Sequence, residues 1–492
     1  MSEQRGKLFR RLGGRAGDAL VCTQTGIRLD GSALIERVDA LAGLLGDHGI
    51  GPGDRVLVQL PNGLPFALLY LACLRARAVA VPMSPRAAPT DLDYAIALAK
   101  PRLHVTLEAP AAGLAGLNLD QTMLLGLPAR SLPAPGFEDG DLFSINFTSG
   151  TTSRPKAVVH RAEGLLGNAS EFNHYTGYGS ADRMLHVMPM YYMAGLLNTL
   201  VCPLIAGSMA VLAPQFSPRS ALSLLRLAIE HQVTALWLSP SMLEMAMRLD
   251  RGTDTALALQ QTLRLVFIGT AGLSAGLARQ FHARYGIEPL QSYGLSELLL
   301  LSVDRPGATQ FGSVGQMMPK VGTRLSADGE LLISTPHAFS GYLEAATGTV
   351  PNAATREAMR RDFPTGDLAM VGADGRVTIT GRIKDILVVG GINVSPVAIE
   401  EALAGHALVQ QAAVVGAAHP LLGEAPVAFI LPAPGAEPVE LERALKSLAE
   451  TRLAAASRPV RYVMQRSLPV GPTGKVQKHQ LPRIDLASDT LH

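Results

Sequence analysis

The most informative stretch of the chain is Phe147-Thr-Ser-Gly-Thr-Thr-Ser-Arg-Pro-Lys-Ala-Val-Val-His160, which directly follows an apolar run predicting a buried strand, Leu142–Phe147. Gly150 lets the backbone approach an anion closely, and Lys156 supplies a point charge next to the rigid Pro155. Short hydroxyl donors fill the rest of the loop: Thr148, Ser149, Thr151, Thr152 and Ser153. A Ser/Thr/Gly cluster alone is more often a polar surface turn, and no Gly-Lys-Ser/Thr follows at the spacing of a Walker loop. Together with the motifs described below, the loop is interpreted as a phosphate site.

Strand-like and helix-like segments alternate around this loop, from about residue 34 to residue 301. Continuous apolar strands separated by helices imply parallel sheets that are covered on both faces. Ligands in such layers bind at the carboxyl ends of the strands, which is where the loop falls. The sequence therefore predicts an α/β fold. The further predicted strands are Arg55–Leu60, Ala78–Met83, Leu103–Leu107, Val233–Leu238 and Leu263–Ile268, with a helix at Ala221–His231.

After Gly312 the pattern changes to short strands and Asp-Gly turns, with strands predicted at Gly329–Ser334 and Arg376–Thr380. The last hundred or so residues form a separate α+β pattern, opened by a helix that begins at Pro396. Its other predicted elements are strands near Gln411–Val415 and Pro426–Leu431, a helix near Val439–Leu453 and a strand at Arg461–Gln465. We therefore expect an N-terminal domain at 1–383 and a C-terminal domain at 384–492.

Composition limits the possible functions. A chain of 492 residues that is 48% hydrophobic and 17% charged can bury a large core and should form at least two domains. The net charge of +2 gives no reason to expect nucleic acid as a partner. The Arg-rich start lacks the apolar run of a signal peptide and is predicted to be a solvated tail. Three scattered cysteines suit a reducing, cytoplasmic compartment.

A stretch without Asp, Glu, Lys or Arg lies between Arg183 and Arg219 and is long enough to span a bilayer. Pro189, Gly195 and Pro203 interrupt it, dividing it into pieces of the size of core helices and buried strands. We therefore predict core burial and no integral membrane segment.

Four further motifs follow the loop in order. They are Gly269-Thr-Ala-Gly-Leu273, Tyr293-Gly-Leu-Ser-Glu297, Thr365-Gly-Asp367 with Gly381-Arg382, and Leu468-Pro-Val-Gly-Pro-Thr-Gly-Lys475. With the loop, this ordered set resembles the AMP-forming acyl-adenylating enzymes, the superfamily of acyl-CoA synthetases, peptide-synthetase adenylation domains and luciferases. The resemblance covers about residues 30 to 485, and Ser153 and Ala157 replace two glycines of the family's loop. It implies a large N-terminal domain with a small distorted β-barrel, followed by a small mobile C-terminal domain.

The resemblance also implies roles for individual residues. Lys475 is the catalytic lysine, Lys384 is the pivot of the C-terminal domain, and Gly390 and Gly391 line the thiol tunnel. The nucleotide-binding set is Thr148, Ser149, Gly150, Thr151, Thr152, Lys156, Gly269, Thr270, Ala271, Ser292, Tyr293, Gly294, Ser296, Asp367 and Arg382. Thr148 and Glu297 are the implied Mg²⁺ ligands, which suits a cation that takes few carboxylates beside substrate phosphates. The alternative for Glu297 is a glutamate at a helix start.

The chemistry implied is a two-step ligation. A carboxylic acid and ATP give an acyl-adenylate and pyrophosphate, and the adenylate then acylates the thiol of coenzyme A or the phosphopantetheine of a separate carrier protein. Bringing a carboxylate against the α-phosphate of ATP juxtaposes two anions, so a cation such as Lys475 lowers the barrier.

The segment Met188-Pro-Met-Tyr-Tyr-Met-Ala-Gly195 matches the part of the family that runs beside the acyl substrate. Amino-acid-activating relatives carry an Asp at the position of Tyr192, and an unpaired ammonium in an apolar pocket would be strongly disfavoured. Trp237 lies in a region that lines the family's acyl pocket, although it could equally be a core residue. We therefore expect an apolar carboxylic acid rather than an α-amino acid.

Two other classes of protein remain open at this stage. Gly272-Leu-Ser-Ala-Gly276 satisfies the nucleophile elbow of a serine hydrolase, with Ser274 as nucleophile and His406 or His419 as partner. The competing interpretation, which we favour, is that Ser274 caps a helix at Ala275–Tyr285. The second class is a nucleotide-binding protein that has lost catalysis, which the joint presence of Glu297, Asp367, Arg382 and Lys475 argues against.

Overall fold

The computed structural model describes residues 3–133, 140–148, 155–344, 347–351, 357–471, 474–484 and 486, with residues 3–7 described by their backbone alone. Its strands are β1 (Asp18–Cys22), β2 (Arg28–Asp30), β3 (Arg55–Gln59), β4 (Val79–Pro82), β5 (Leu103–Thr106), β6 (Ala115–Asn118), β7 (Leu142–Thr148), β8 (Lys156–Arg161), β9 (Arg183–His186), β10 (Met209–Leu212), β11 (Ala235–Leu238), β12 (Leu265–Ile268), β13 (Pro289–Leu295), β14 (Leu299–Val303), β15 (Gly322–Leu325), β16 (Glu330–Ser334), β17 (Phe363–Val371), β18 (Val377–Arg382), β19 (Leu387–Val389), β20 (Ile392–Val394), β21 (Val409–His419), β22 (Gly423–Pro432) and β23 (Arg461–Met464).

The helices surround these strands. They are α1 (Glu3–Gly13), α2 (Gly31–Asp47), α3 (Leu64–Arg75), α4 (Pro89–Ala99), α5 (Gln121–Gly126), α6 (Ala162–Thr176), α7 (Cys202–Ala206), α8 (Pro218–Ala221), α9 (Leu224–Glu230), α10 (Pro240–Leu249), α11 (Thr255–Gln260), α12 (Ala275–Tyr285), α13 (Pro396–Ala404) and α14 (Pro438–Arg452). A π-helix, Ala194–Val201, directly precedes α7.

Two largely parallel sheets form the N-terminal part of the chain. One has the strand order β6-β5-β3-β4-β7-β8 and ends in the antiparallel β7–β8 hairpin. The other has the order β14-β13-β12-β11-β9-β10-β1-β2 and is parallel from β13 to β1. Every strand predicted in this part is found, with its ends within two residues of the prediction. The predicted α/β class is therefore confirmed.

Burial on both faces explains the continuous apolar strands. Along β11, Ala235 and Trp237 join one core cluster, whereas Leu236 and Leu238 join the cluster on the opposite face. A strand covered by helices on both sides has no solvent face, so alternation is lost. The carboxyl ends of these strands are left as the open edge of the sheet.

Two smaller sheets follow. Strands β15 to β18 form an antiparallel sheet, in the region where the resemblance implied a small distorted β-barrel. A 3₁₀ turn, Ile383–Asp385, leads from β18 to a further sheet with the order β20-β19-β22-β21, in which β23 pairs parallel with β22. Residues from Leu387 onwards build their own core clusters with α13 and α14. The division into domains at residues 383 and 384 stays a prediction.

One local prediction is wrong, and another is correct except at its start. The Arg-rich start is a helix rather than a solvated tail, because α1 buries Leu8 and Leu12 in the core and Arg11 donates a hydrogen bond to the Ile205 carbonyl. The predicted helix Ala221–His231 is found as α9, Leu224–Glu230, but it begins later than predicted, because Ala221 ends the separate short helix α8, which a capping box of Ser217 and Ser220 starts.

The charge-free segment between Arg183 and Arg219 is divided into β9, the π-helix, α7 and β10, and most of its residues are buried. Within the described ranges no helix has both the length and the apolar character needed to cross a membrane.

Candidate active site

A cleft of about 760 Å³ gathers much of the predicted site. Its walls include these predicted residues: Thr148, Lys156, Tyr192, Thr270, Ser292, Gly294, Ser296, Glu297, Arg382, Lys384 and Lys475. Gly269, Ala271, Tyr293, Asp367, Trp237, Gly390 and Gly391 are described but do not line it. Ser149, Gly150, Thr151 and Thr152 lie outside the described residues.

The β7–β8 hairpin carries the ends of the predicted phosphate loop. Thr148 pairs with Lys156 across the hairpin, and the Thr148 hydroxyl donates to the Lys156 carbonyl over 3.4 Å. The Lys156 ammonium lies 4.7 Å from the centre of the Tyr342 ring, and the Tyr342 hydroxyl donates to Glu297 Oε1 over 2.8 Å. Burial, and then the neighbouring Glu297, raise the pKa of Tyr342, so its hydroxyl stays a donor. Sequence reasoning missed Tyr342, because its role depends on an isolated bridge to Val158.

Glu297 lies in the turn between β13 and β14, so the alternative of a glutamate at a helix start is wrong. Its Oε2 atom has no hydrogen-bond partner in the part of the chain that the structure describes. One open carboxylate oxygen together with the Thr148 hydroxyl fits Mg²⁺, because this ion is usually bound by one or two carboxylates and by substrate phosphates. These two residues would hold the ion, which would neutralise phosphate charge.

Asp367 is buried beside the cleft, with 1% of its surface exposed. Arg382 Nε donates to its Oδ1 over 2.6 Å, and the Tyr293 hydroxyl donates to its Oδ2 over 2.7 Å. Burial, and then Asp367, raise the pKa of Tyr293. This carboxylate, which the resemblance assigns to nucleotide binding, is therefore fixed in place by two protein donors, and a nucleotide hydroxyl would have to share its oxygens with them.

The motif Gly269–Leu273, predicted to bind the nucleotide, is held by two hydrogen bonds to Gln291. Gln291 Oε1 accepts the Leu273 N–H over 2.8 Å, and its Nε2 donates to the Ala271 carbonyl over 3.3 Å. Thr270 has a φ of +69°, a strained conformation for a β-branched residue and one that recurs at functional sites. Gln291 was not predicted, because a single glutamine in a strand carries no sequence signal.

Ser274 is the N-cap of α12, accepting the Leu277 N–H over 3.2 Å, so the capping interpretation is confirmed. Neither histidine suggested as its catalytic partner contacts it in the described ranges. His406 accepts the Leu408 N–H and His419 accepts the Leu421 N–H within local turns.

Lys475 reaches the cleft from the C-terminal part of the chain. Its loop is closed by a hydrogen bond from the Gly471 N–H to the Lys475 carbonyl over 2.8 Å. Lys478 anchors the loop by an ion pair of 2.7 Å with Glu400. Loss of solvation beside the surrounding protein is the main cause that lowers the pKa of Lys475, and the nearby cations Arg382 and Lys384 lower it further. The side chain is still reached by solvent through the cleft. A nearby anion would therefore stabilise its charged form.

Gly474 brings this loop into contact with the start of α10. Its φ is +79°, and a Cβ at this position would overlap the Ser241 hydroxyl and lie 3.1 Å from Ser239 Oγ. We expect Gly474→Ala to lower the rate of adenylate formation roughly tenfold or more, because the loop is displaced from the cleft. Pyrophosphate exchange into ATP measures this step.

Gly435→Ala is the matched control for this prediction, because Gly435 has a φ of +82° with open space around it. It imposes similar backbone strain without a clash and should leave the exchange rate close to that of the wild type. Adding Ser241→Ala to Gly474→Ala removes the overlapping hydroxyl and should restore part of the rate. Equal losses in the Gly474 and Gly435 variants would show that strain, not docking, limits the reaction.

One side of the cleft is formed by residues that we call the apolar wall. They are Tyr192, Met193, Ala194, Leu197, Asn198, Leu299 and Leu300. Burial raises the pKa of Tyr192 to about 12. Trp237, predicted near this pocket, is instead fully buried behind it, with ring centres 5.2 Å from Phe172 and 4.9 Å from Phe267.

Gly390 and Gly391 lie in the exposed turn between β19 and β20. Lys384, in contrast, lies on the 3₁₀ turn and lines the cleft. The present arrangement therefore brings Lys475 to the cleft and leaves the predicted thiol-tunnel loop outside it.

The fold and the site together define the class of adenylate-forming ligases. The chain has two helix-covered parallel sheets and a small sheet, and a C-terminal unit brings a lysine to the same cleft. Residues 9–343 match the family model of the AMP-binding enzyme, and residues 398–475 match that of the AMP-binding enzyme C-terminal domain. The chain belongs to the AMP-binding enzyme family, and it is an AMP-forming ligase of the acyl-adenylating superfamily.

Similar proteins support this assignment. A sulfoacetate–CoA ligase of Cupriavidus necator is 29% identical, with 94% of each chain covered. A feruloyl-CoA synthase of an Amycolatopsis species is 30% identical, over 93% of this chain and 95% of the relative. The crystal structure of ATP-bound MatB from Rhodopseudomonas palustris superposes with a TM-score of 0.84 at 26% identity, covering 96% of this chain and 97% of that one.

Proposed function

We propose that the protein is an acyl-CoA synthetase that activates a largely apolar carboxylic acid, with no charge besides its carboxylate, using ATP and Mg²⁺, and passes the acyl group to coenzyme A. The observation that carries the proposal is the cleft itself. Its cations and Glu297 lie together with an apolar wall on which the described residues carry no charge. The names of the two sequence relatives support coenzyme A as the acceptor.

In the first step, a carboxylate oxygen of the acid attacks the α-phosphorus of ATP, and the bond to the bridging oxygen breaks as pyrophosphate leaves with the electron pair. Lys475 and Lys156 offset the negative charge that accumulates between acid and phosphates. Arg382 and Asp367 orient the nucleotide. Holding both reactants in one cleft converts a bimolecular reaction into an effectively unimolecular one.

In the second step, the thiol sulfur attacks the acyl carbon, the bond from that carbon to the AMP oxygen breaks, and the thiol proton is released. This step needs a path for the thiol, which the loop with Gly390 and Gly391 would line after the C-terminal part has turned. The turn at Lys384 is the proposed pivot.

The apolar wall also limits the charge that the acid can carry. A dianionic acid such as the sulfoacetate of the Cupriavidus necator relative would need a cation for its second charge, and burying an unpaired charge is strongly unfavourable. Of the cations in the cleft, Arg382 pairs with Asp367, and Lys156 lies over the ring of Tyr342, whose hydroxyl donates to Glu297. We therefore expect monoanionic acids to be the better substrates.

The test is a panel of carboxylic acids screened for pyrophosphate release with and without coenzyme A. The proposal expects release with some apolar acids, thioester formation only with coenzyme A, and poor activity with dianionic acids. Thioester formation on an added carrier protein but not on coenzyme A would instead favour the carrier-protein ligase. Absence of pyrophosphate release with every acid would contradict the proposal.

We expect Ser274→Ala to leave ligase activity within severalfold of the wild type. The substitution removes only a helix cap, which costs about 1 kcal/mol of stability. Thermal unfolding measures that cost, and pyrophosphate release measures the activity. Complete inactivation of a folded Ser274→Ala protein would revive the hydrolase interpretation.

A further inference from the structure

Asn198 is a polar exception on the apolar wall. It lies on the π-helix, has only 6% of its surface exposed, and lines the cleft. Its side chain has no hydrogen-bond partner among the residues that the structure describes. Neither amide atom is among the described buried atoms that lack a partner, so solvent in the cleft reaches the amide. A ligand that displaces this solvent must replace its hydrogen bonds or lose affinity.

Two neighbouring buried asparagines have partners at both ends of their amides, whereas Asn146 Nδ2, which also belongs to a residue of the cleft, has none among the described residues. Asn168 donates to the Leu300 carbonyl over 2.8 Å and accepts the Leu300 N–H over 3.1 Å. Asn62 donates to the Met188 carbonyl over 2.8 Å and accepts the Met190 N–H over 2.9 Å. Both side chains brace segments that border the apolar wall. Asn198 braces nothing, so its amide is left for a ligand.

The π-helix places this amide. Its backbone is internally bonded, as in the hydrogen bond from the Cys202 N–H to the Leu197 carbonyl five residues earlier. Thr199, the next residue, donates to the Gly195 carbonyl over 3.0 Å and contacts His186 Nδ1. Asn198 is therefore not needed to cap or repair the helix. Such π-helical turns are frequent at functional sites.

Trp237 has a buried donor without a partner among the described residues of this region, its indole N–H. That nitrogen lies 3.0 Å from where a Cβ on Gly269 would stand, and Trp237 is fully buried behind the wall. Asn198, in contrast, lines the cleft. A bound acid would therefore meet the amide of Asn198 and not the indole.

We propose that Asn198 determines substrate specificity and that the acid carries an uncharged hydrogen-bonding oxygen, such as a hydroxyl or keto group, on the part that contacts the π-helix. The inference rests on the proposed function and narrows its substrate class. The group is uncharged, because the described residues of the apolar wall provide no cation for a second anion. It is polar, because an apolar acid would displace solvent from the amide of Asn198 and leave that amide unpaired.

The experiment compares acids in matched pairs that differ by one oxygen. We would measure kcat/KM of pyrophosphate release for octanoate against its hydroxy and keto analogues, and for phenylpropanoate against its ring-hydroxylated analogues. In the wild type, the best polar member of a pair should exceed its apolar counterpart about tenfold or more. Asn198→Leu, similar in size but apolar, should reduce that ratio to about one or reverse it.

Two variants complete the design. Met193→Leu alters the same wall without touching a polar group and should keep the wild-type ratio. Asn198→Ser retains a hydrogen-bonding side chain and should keep part of the preference, which also covers the case in which Asn198→Leu fails to fold.

The opposing outcomes are distinct. If no polar member is preferred by the wild type, or if Asn198→Leu keeps the wild-type ratio, the specificity inference fails while the ligase proposal stands on the activity observed. If no acid in the panel releases pyrophosphate, the proposed function fails and the inference fails with it.

Discussion

Replacing Lys475 by alanine is expected to lower the rate of adenylate formation by roughly a hundredfold to a thousandfold, the range seen when one donor is removed from a preorganised charge-stabilising site. Lys475 lies in the cleft near Arg382 and Lys384, where a carboxylate and the α-phosphate would meet. The measurement is acid-dependent exchange of labelled pyrophosphate into ATP.

The same variant should convert a supplied acyl-adenylate to the thioester at nearly the wild-type rate, because the second step breaks a different bond and proceeds after the C-terminal part has turned. Lys446→Ala is the matched control. Lys446 forms an ion pair with Glu442 on the surface of α14 and does not line the cleft. Equal losses in both half-reactions of Lys475→Ala would contradict the assignment.

The lowered pKa of Lys475 adds a pH dependence. A lysine whose pKa is lowered loses its charge at a lower pH than an ordinary lysine, whose pKa is about 10.4. Adenylate formation should therefore decline on the alkaline side before free lysine would titrate. Lys475→Arg retains its charge to higher pH and should shift the decline upward, at some cost in rate. A profile that is identical in both proteins would exclude Lys475 as the titrating group.

The large sheets were predictable because their strands are apolar over their whole length and are separated by helices. This pattern needs no tertiary information, and strands such as β3 and β12 were found within two residues of their predicted ends. The start of the chain was not predictable in the same way. Leu8 and Leu12 lie in a basic segment, and nothing in the sequence indicates that they are buried in the core.

The residues of the site also fall into a group that was predictable from sequence and a group that was not. Motif order placed Lys156, Glu297 and Lys475 in one region, because each has a chemistry that the resemblance could assign. Tyr342, Gln291 and Asn198 act through contacts between elements that are distant in sequence, and none of them has a periodicity or a spacing that marks it. For Trp237 the sequence predicted too much. The resemblance placed this residue in the acyl pocket, but the register of its strand buries it behind the apolar wall.

Replacing Lys384 by proline is expected to spare adenylate formation within severalfold and to lower thioester formation about a hundredfold. Lys384 lies in the 3₁₀ turn between β18 and β19, where a φ near −60° is compatible with the proline ring. The arrangement that holds Lys475 in the cleft is therefore retained, with modest strain at Ile383 before the proline. Turning the C-terminal part requires the backbone at the pivot to change, and the ring prevents a change in φ.

The side chain of Lys384 also lines the cleft, so Lys384→Ala is the necessary control. It removes the same ammonium and leaves φ free, and thioester formation in this variant should remain well above that of the proline variant. Single-turnover conversion of a preformed acyl-adenylate by coenzyme A isolates the step. If Lys384→Pro transfers the acyl group as fast as Lys384→Ala, rotation about this residue is not needed, and the Gly390–Gly391 loop must reach the cleft by another movement.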